Sequence, residues 1–253
     1  MNTSELHYSN KEQKLQQAIN DLFKDIGTII DSKQKELGHT RTDLVIDGFY
    51  PYYLEQKCKV LFIGRESLGL SGLNYIDVLH HCYTEDQAID GRNINQYRFH
   101  ALMMYLAYAL NNDHPAWEDV PEANEIAKTF ATAEGVSFAF MNYSKLSNDS
   151  GNWQADWGMI NKYESVLKTN RVNLYSQQIS ITDPDVILTM NLEDRLHNLG
   201  KLKALEYSDN ASYFKLTIDD KSYLLIDLYH FAALKNMEKC FYLPVIHGVE
   251  NHM

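Results

Sequence analysis

Cys58-Lys59-Val60-Leu61-Phe62-Ile63-Gly64-Arg65-Glu66-Ser67 passes in one step from a short apolar run to a polar loop that opens on glycine. An apolar run without alternation is what a strand covered on both faces requires. Residues 137–141 repeat the pattern and close on Asn142, and residues 185–190 repeat it again and close on Asn191. Helical spacing lies around and between these runs. Leu15, Ile19, Leu22, Phe23, Ile26, Ile29 and Ile30 set one apolar face on a helix over residues 12–37, which Gly38 ends. Phe99, Met103, Leu106 and Leu110 mark another helix, residues 122–133 a further one, and Ile160, Tyr163, Leu167 and Leu174 share one side of the next. A short helix runs to about Gly200. Residues 213–218 and 222–228, joined at Asp219-Asp220, read as a hairpin whose second arm leads into Tyr229-His230. Strands alternating with helices predict an α/β fold with a mostly parallel sheet covered on both faces.

The composition agrees with a folded domain: 253 residues, 45% hydrophobic and 23% charged, with no repeat and no linker-like tract, so residues 1–253 read as a single domain. A net charge of −11 repels polyanions on average, which disfavours a generic DNA-coating protein and confines any nucleic-acid contact to a local basic patch. Three dispersed cysteines, Cys58, Cys82 and Cys240, supply neither a disulfide framework nor four thiolates for an iron–sulfur cluster; no cofactor and no metal is expected. Residues 1–17 are polar, and the longest apolar run, residues 101–110, is too short to span a bilayer. The expectation is a soluble cytoplasmic protein with no membrane partner.

In open α/β sheets ligands sit beyond the carboxyl ends of the strands, because the loops there are free of packing duty. Four strand ends therefore matter: Gly64-Arg65-Glu66-Ser67, Asn142-Tyr143-Ser144-Lys145, Asn191, and Asp227-Leu228-Tyr229-His230. A carboxamide offers donor and acceptor together and an imidazole can donate to a developing anion, so this inventory suits a planar heterocycle with acid–base chemistry beside it.

In order and spacing these segments resemble the uracil-DNA glycosylase superfamily over residues 57–253, with the N-terminal helix outside the pattern. Val60 to Gly64 is similar to its first strand, Phe138 to Lys145 to the strand whose terminal Asn reads the base, and Asp183-Pro184-Asp185-Val186-Ile187-Leu188 to a Pro-led third strand. His230 stands where the family carries His-Pro-Ser, although Phe231 and Ala232 replace the last two and Asn191 replaces a common Gly. The resemblance implies a three-layer α/β/α sandwich around a four-stranded parallel sheet. It also implies a hydrolase that breaks an N-glycosidic bond, a DNA-repair chemistry acting on single-stranded or locally opened DNA or on a smaller nucleotide-like ligand. Glu66 and His230 would then be catalytic, the first activating water or facing a cationic sugar and the second hydrogen-bonding the leaving base. Asn142 would select the base, with Tyr50, Tyr75 or Phe49 stacking on it, and Arg65 and Lys145 would meet phosphate.

Two alternatives follow from the same residues. A non-catalytic base- or nucleotide-binding module accounts for the departures after His230. A GDSL-type serine hydrolase would use Ser67 with the Asp227/His230 spacing. His80-His81-Cys82 resembles a metal motif, but neighbouring helical residues point apart and cannot close one coordination shell. Trp153 and Trp157 flank the polar stretch 147–158 and serve either as anchors or as a lid.

Overall fold

Val60 and Phe62 pack into one hydrophobic core and Leu61 and Ile63 into another, so the strand that carries them is buried on both faces. The computed structural model describes residues 6–86, 88–89 and 91–253; residues 1–5 of the polar leader stretch lie outside the described residues. Strands β1 (Gly48–Phe49), β2 (Val60–Gly64), β3 (Ala139–Asn142), β4 (Val186–Met190), β5 (Lys201–Tyr207), β6 (Ala211–Ile218) and β7 (Lys221–Leu228) form one sheet in the order β1-β3-β2-β4-β7-β6-β5. The central four, β3, β2, β4 and β7, run parallel. Antiparallel strands extend them, β1 on one side and β6 and β5 on the other. The expected four-stranded sheet is thus corrected to a mixed sheet of seven strands with a parallel centre.

Helices cover both faces. α1 (Asn10–Ser32), α5 (Trp157–Thr169) and α6 (Leu174–Thr182) pack on the side of Leu61 and Ile63. α2 (Tyr75–His81), α3 (Arg98–Asn111), α4 (Ala123–Ala127) and α7 (Leu243–His252) pack on the side of Val60 and Phe62. Backbone geometry explains where the boundaries differ from the periodicity. The first helix breaks at Lys33, resumes over Gln34–Leu37 and stops at Gly38, whose φ of +77° closes it. The helix read through Leu174 is two, α5 and α6, separated by a turn with Arg171 at φ +54°. The helix expected over 122–133 is cut to one short turn of helix, α4. α1 starts at a capping box in which Ser9 and Glu12 satisfy each other's backbone donors, and Tyr8 Oη donates to Phe49 O at 2.9 Å, tying that helix to β1. Among the described residues no helix is long and apolar enough to cross a membrane.

One buried charge holds the layers in register. The Asp47 carboxylate, just before β1, accepts from Lys145 Nζ at 2.7 and 2.8 Å, from Gln178 Nε2 on α6 at 2.7 Å and from the Asn142 backbone N–H at 2.7 Å. Both charged side chains are fully buried. Burial pulls the Lys145 ammonium below its ordinary value, and the Asp47 charge opposes that pull. Lys145 is therefore a structural cation committed to Asp47, and the expectation that it meets phosphate is corrected. The physical reason is that its partner lies 98 residues earlier in the chain.

Removing one member of such a pair leaves a buried, uncompensated charge. Asp47→Ala and Lys145→Ala are each expected to cost about 3–5 kcal/mol in urea unfolding, with the double variant losing much less than their sum. Single-variant losses below about 1 kcal/mol would contradict the anchoring role.

Candidate functional site

The carboxyl ends of β2, β3, β4 and β7 share one rim of the sheet, and the side chains there are built by close backbone approach. Gly64 pairs with Asn142 in the parallel ladder, and a Cβ on Gly64 would come within 3.1 Å of Phe140 Cζ and 3.4 Å of Asn142 Oδ1. Glycine at this position lets the carboxamide and the Phe140 ring lie against the strand end. Pairing then continues beyond the strands. Tyr143 N–H donates to Gly64 O at 3.0 Å, Ser144 N–H to Arg65 O at 2.7 Å and Asn148 N–H to Ser67 O at 2.8 Å, so the two loops climb together.

Asn142 is 1% exposed, yet its Nδ2 makes no hydrogen bond. Two further buried polar atoms on the same rim, Arg65 Nε and Ser67 Oγ, are also unpaired. Native interiors pair nearly all such groups, and each unpaired one costs stability. Other unpaired buried atoms are spread through the core, among them the hydroxyls of Tyr50, Tyr53, Tyr163 and Tyr175; the rim differs in holding three of different chemistry, an amide, a guanidinium nitrogen and a hydroxyl, on two adjacent strand ends.

Arg65 links the strand ends. Its Nη2 donates to Asn191 O at 3.1 Å, and its guanidinium lies 4.9 Å from the centre of the Trp157 ring. Arg195, which the sequence reading did not single out, lies 4.3 Å from the same ring and donates from Nη2 to Asn161 Oδ1 at 2.7 Å. Both guanidiniums stack on one indole, with Glu164 3.5 Å from Arg195 Nε and the Glu66 and Asp227 carboxylates near Arg65. Asn191 has φ +57°, a left-handed conformation that Asn accepts better than most residues.

His230 Nδ1 accepts from the Ala232 N–H at 3.3 Å. Burial, and then the nearby Arg65 charge, depress its pKa to about 4. At neutral pH the ring is therefore uncharged with its proton on Nε2, a neutral donor. The Phe99 ring lies 5.6 Å from His230 and 6.4 Å from Phe140, which connects the imidazole to the aromatic wall beside Asn142. Tyr75 stacks flat on Phe140, at 4.4 Å and 7°, and is buried, so it backs that wall. Glu66, half-buried, accepts the Asp156 N–H at 2.9 Å; burial raises its pKa, while that hydrogen bond and Arg65 oppose the rise. The structure thus sets Arg65, Asn142, His230 and Tyr75 around one end of the sheet, with Glu66 beside them on the loop turned toward α5.

Tyr50 is not there. Its N–H bonds Phe138 O at the opposite, amino end of β3, and its ring is fully buried between Phe130 and Phe138. The expectation that it stacks on a base is corrected: its aromaticity serves the core. Phe49 is likewise buried, against Tyr8 and Tyr53. Nor is a serine-hydrolase triad assembled. Asp227 accepts from Thr189 Oγ1 at 2.5 Å and from Leu192 N–H at 3.4 Å, His230 Nδ1 is taken by Ala232, and Ser67 Oγ is unpaired. Of the two loop tryptophans, Trp157 is the anchor under the arginines, whereas Trp153 is 71% exposed.

A cavity of about 450 Å³ opens at the other end of the sheet, lined among others by Glu55, Lys57, Asn111 and Glu134. Asn111 there is spent on the Cys58 backbone. The rim, not this cavity, gathers the unpaired donors. No protein-family model matches the chain, no curated protein matches it, and no solved structure does.

Asp227 gives the rim a measurable electrostatic signature. Burial raises its pKa to about 6, with Thr189, the backbone of residues 191 and 192, and Arg65 opposing. A folded-state pKa above the unfolded one means that stability is lost as pH rises through about 6. Asp227→Asn keeps both hydrogen bonds to Oδ1, so it is expected to gain on the order of 1–3 kcal/mol over the native chain at pH 8 and almost nothing at pH 3.5. Urea unfolding at the two pH values measures the difference; a gain independent of pH would rule out this assignment.

Proposed function

We propose that the rim recognises a nucleobase and that N-glycosidic cleavage is the chemistry its groups fit. The observation that carries the reading is the Asn142 carboxamide, almost wholly buried at a strand end with an unpaired donor. A carboxamide reads the edge of a heterocycle because it donates and accepts side by side. Cleavage of the bond to the sugar leaves negative charge on the departing base, and the neutral His230 presents Nε2–H as a donor to it. Positive charge grows on the sugar, and Glu66 supplies a carboxylate to face it or to activate water. The resemblance to the uracil-DNA glycosylase superfamily, carried by residues 60–64, 138–145 and 183–188, supports the same roles.

The commitment of Lys145 to Asp47 bears on the substrate. With that cation withdrawn, Arg195 ion-paired to Glu164 and a net charge of −11, phosphate contact falls mainly to Arg65, which suits a nucleotide or a short stretch of single strand better than a long duplex footprint. Recognition of a base without cleavage uses the same Asn142, and it accounts for Phe231 and Ala232 after the histidine.

The test is release of free base from uracil-containing single-stranded oligonucleotides and from deoxyuridine monophosphate, alongside saturable binding of both. Glu66→Gln and His230→Ala are expected to lower kcat/KM by about 100-fold or more with little change in Tm. Asn142→Ala is expected to abolish binding while leaving stability equal or slightly higher, because it deletes an unpaired buried amide. Binding without release assigns the recognition module. Neither release nor binding overturns the reading.

A further inference from the structure

A second cluster of chemistry-bearing side chains lies away from the rim, where α7 crosses the antiparallel edge of the sheet. Glu206 on β5, and His247 and His252 on α7, bring their ligand atoms within 4.8 Å of one another. His247 Nε2 is 3.0 Å from both Glu206 carboxylate oxygens, and His252 Nε2 is 2.9 Å from Oε2. Ligand bonds of about 2.0–2.1 Å in a tetrahedron put neighbouring donor atoms about 3.3 Å apart. The two histidine–carboxylate separations are close to that spacing, and all three ligand atoms lie within 4.8 Å of one another.

Three features of the fold build this arrangement. The β5–β6 ladder slips between Ala204 and Glu206, and such a bulge re-aims a side chain; here Glu206 comes opposite Tyr213. Gly248, next to His247, has no room for a side chain: a Cβ would meet Ile226 Cδ1 at 2.6 Å and Tyr213 Cε1 at 2.8 Å. That glycine presses α7 onto the sheet between the two histidines, and both imidazoles flank the Tyr213 ring at 5.5 Å. Tyr213 Oη in turn donates to Pro244 O at 3.1 Å, which fixes the helix against the strand.

We propose that Glu206, His247 and His252 form a divalent transition-metal site, with Zn²⁺ as its best-fitting ion. Two imidazoles and one carboxylate are a borderline donor set that suits Zn²⁺ over Mg²⁺ or Ca²⁺, and three protein ligands leave a fourth position for water. Without the ion, Asn251 Nδ2 lies 3.2 Å from His247 Nδ1, so the His247 Nε2 proton points at Glu206. Metal binding at Nε2 moves that proton through solvent to Nδ1, where Asn251 accepts it with Oδ1 once its amide turns over and gives up its 2.8 Å bond to His247 O. The ion clips the end of α7 to the exposed strand β5.

Zn²⁺ titration of the untagged chain, followed by calorimetry and thermal melting, tests this. The expected result is one ion per chain with Kd in the low micromolar range and a Tm raised by about 5–10 °C when free Zn²⁺ is 100 times Kd. Glu206→Gln, His247→Ala and His252→Ala should each weaken binding at least tenfold without lowering the metal-free Tm by more than a few degrees. The triple change His80→Ala, His81→Ala, Cys82→Ser should leave it intact. Substitution with Co²⁺ should give the visible absorption of a tetrahedral centre, lost in Glu206→Gln. Absence of binding at 100 µM Zn²⁺, or binding that survives Glu206→Gln and His247→Ala, overturns the proposal.

Discussion

The Asp47 carboxylate adds a buried polar link among three segments that strand pairing and packing already bring together: the entry to β1, the loop after β3 and helix α6. A charge in a dry interior is tolerable only when its partners are near and its lone pairs are filled, so this group admits one arrangement of its surroundings. Because one of its donors is the Asn142 N–H, the backbone of the residue that carries the rim's unpaired amide is set from below. Because another is Lys145, the loop that climbs beside residues 64–70 is pinned at its base. The buried ion pair, together with the strand pairing of β1, β2 and β3, fixes the position of the rim.

Around that anchor the buried polar groups differ in how they are satisfied. Asp47, Lys145 and the Asn111 side chain are buried and paired, and they maintain the fold. Asn142 Nδ2, Arg65 Nε and Ser67 Oγ are buried and unpaired, and they collect at the carboxyl ends of parallel strands where glycine, aromatic rings and a neutral imidazole surround them. Unpaired buried groups also occur elsewhere in the core, and what sets the rim apart is that an amide donor, a guanidinium and a hydroxyl lie together on adjacent strand ends.

The central strands were legible because burial on both faces leaves a continuous apolar run, as in Val60 to Ile63, and the strand ends follow directly from it. β5 was not, because it is a largely exposed edge strand whose Lys201-Leu202-Lys203-Ala204 alternation is broken at the bulge between Ala204 and Glu206. Asn142, Arg65 and His230 were found by position alone, as polar residues ending strands. Tyr50 and Lys145 were misplaced for a common reason: local sequence shows residue type but not the distant partner, Phe138 for the ring and Asp47 for the amine, that decides its role. Arg195 gave no sequence signal at all, since its partners, the Trp157 ring, Asn161 and Glu164, lie on a helix about 30 residues earlier in the chain.

The claim that the carboxyl rim is the ligand site is tested most directly by nuclear magnetic resonance of the ¹⁵N-labelled chain titrated with deoxyuridine monophosphate. The account predicts saturable shifts of the Asn142 side-chain amide, of the Arg65 and Ser67 backbone amides and of the His230 ring. Shifts confined to the opposite cavity, at Lys57, Asn111 and Gly135, with Asn142 unmoved, would contradict it.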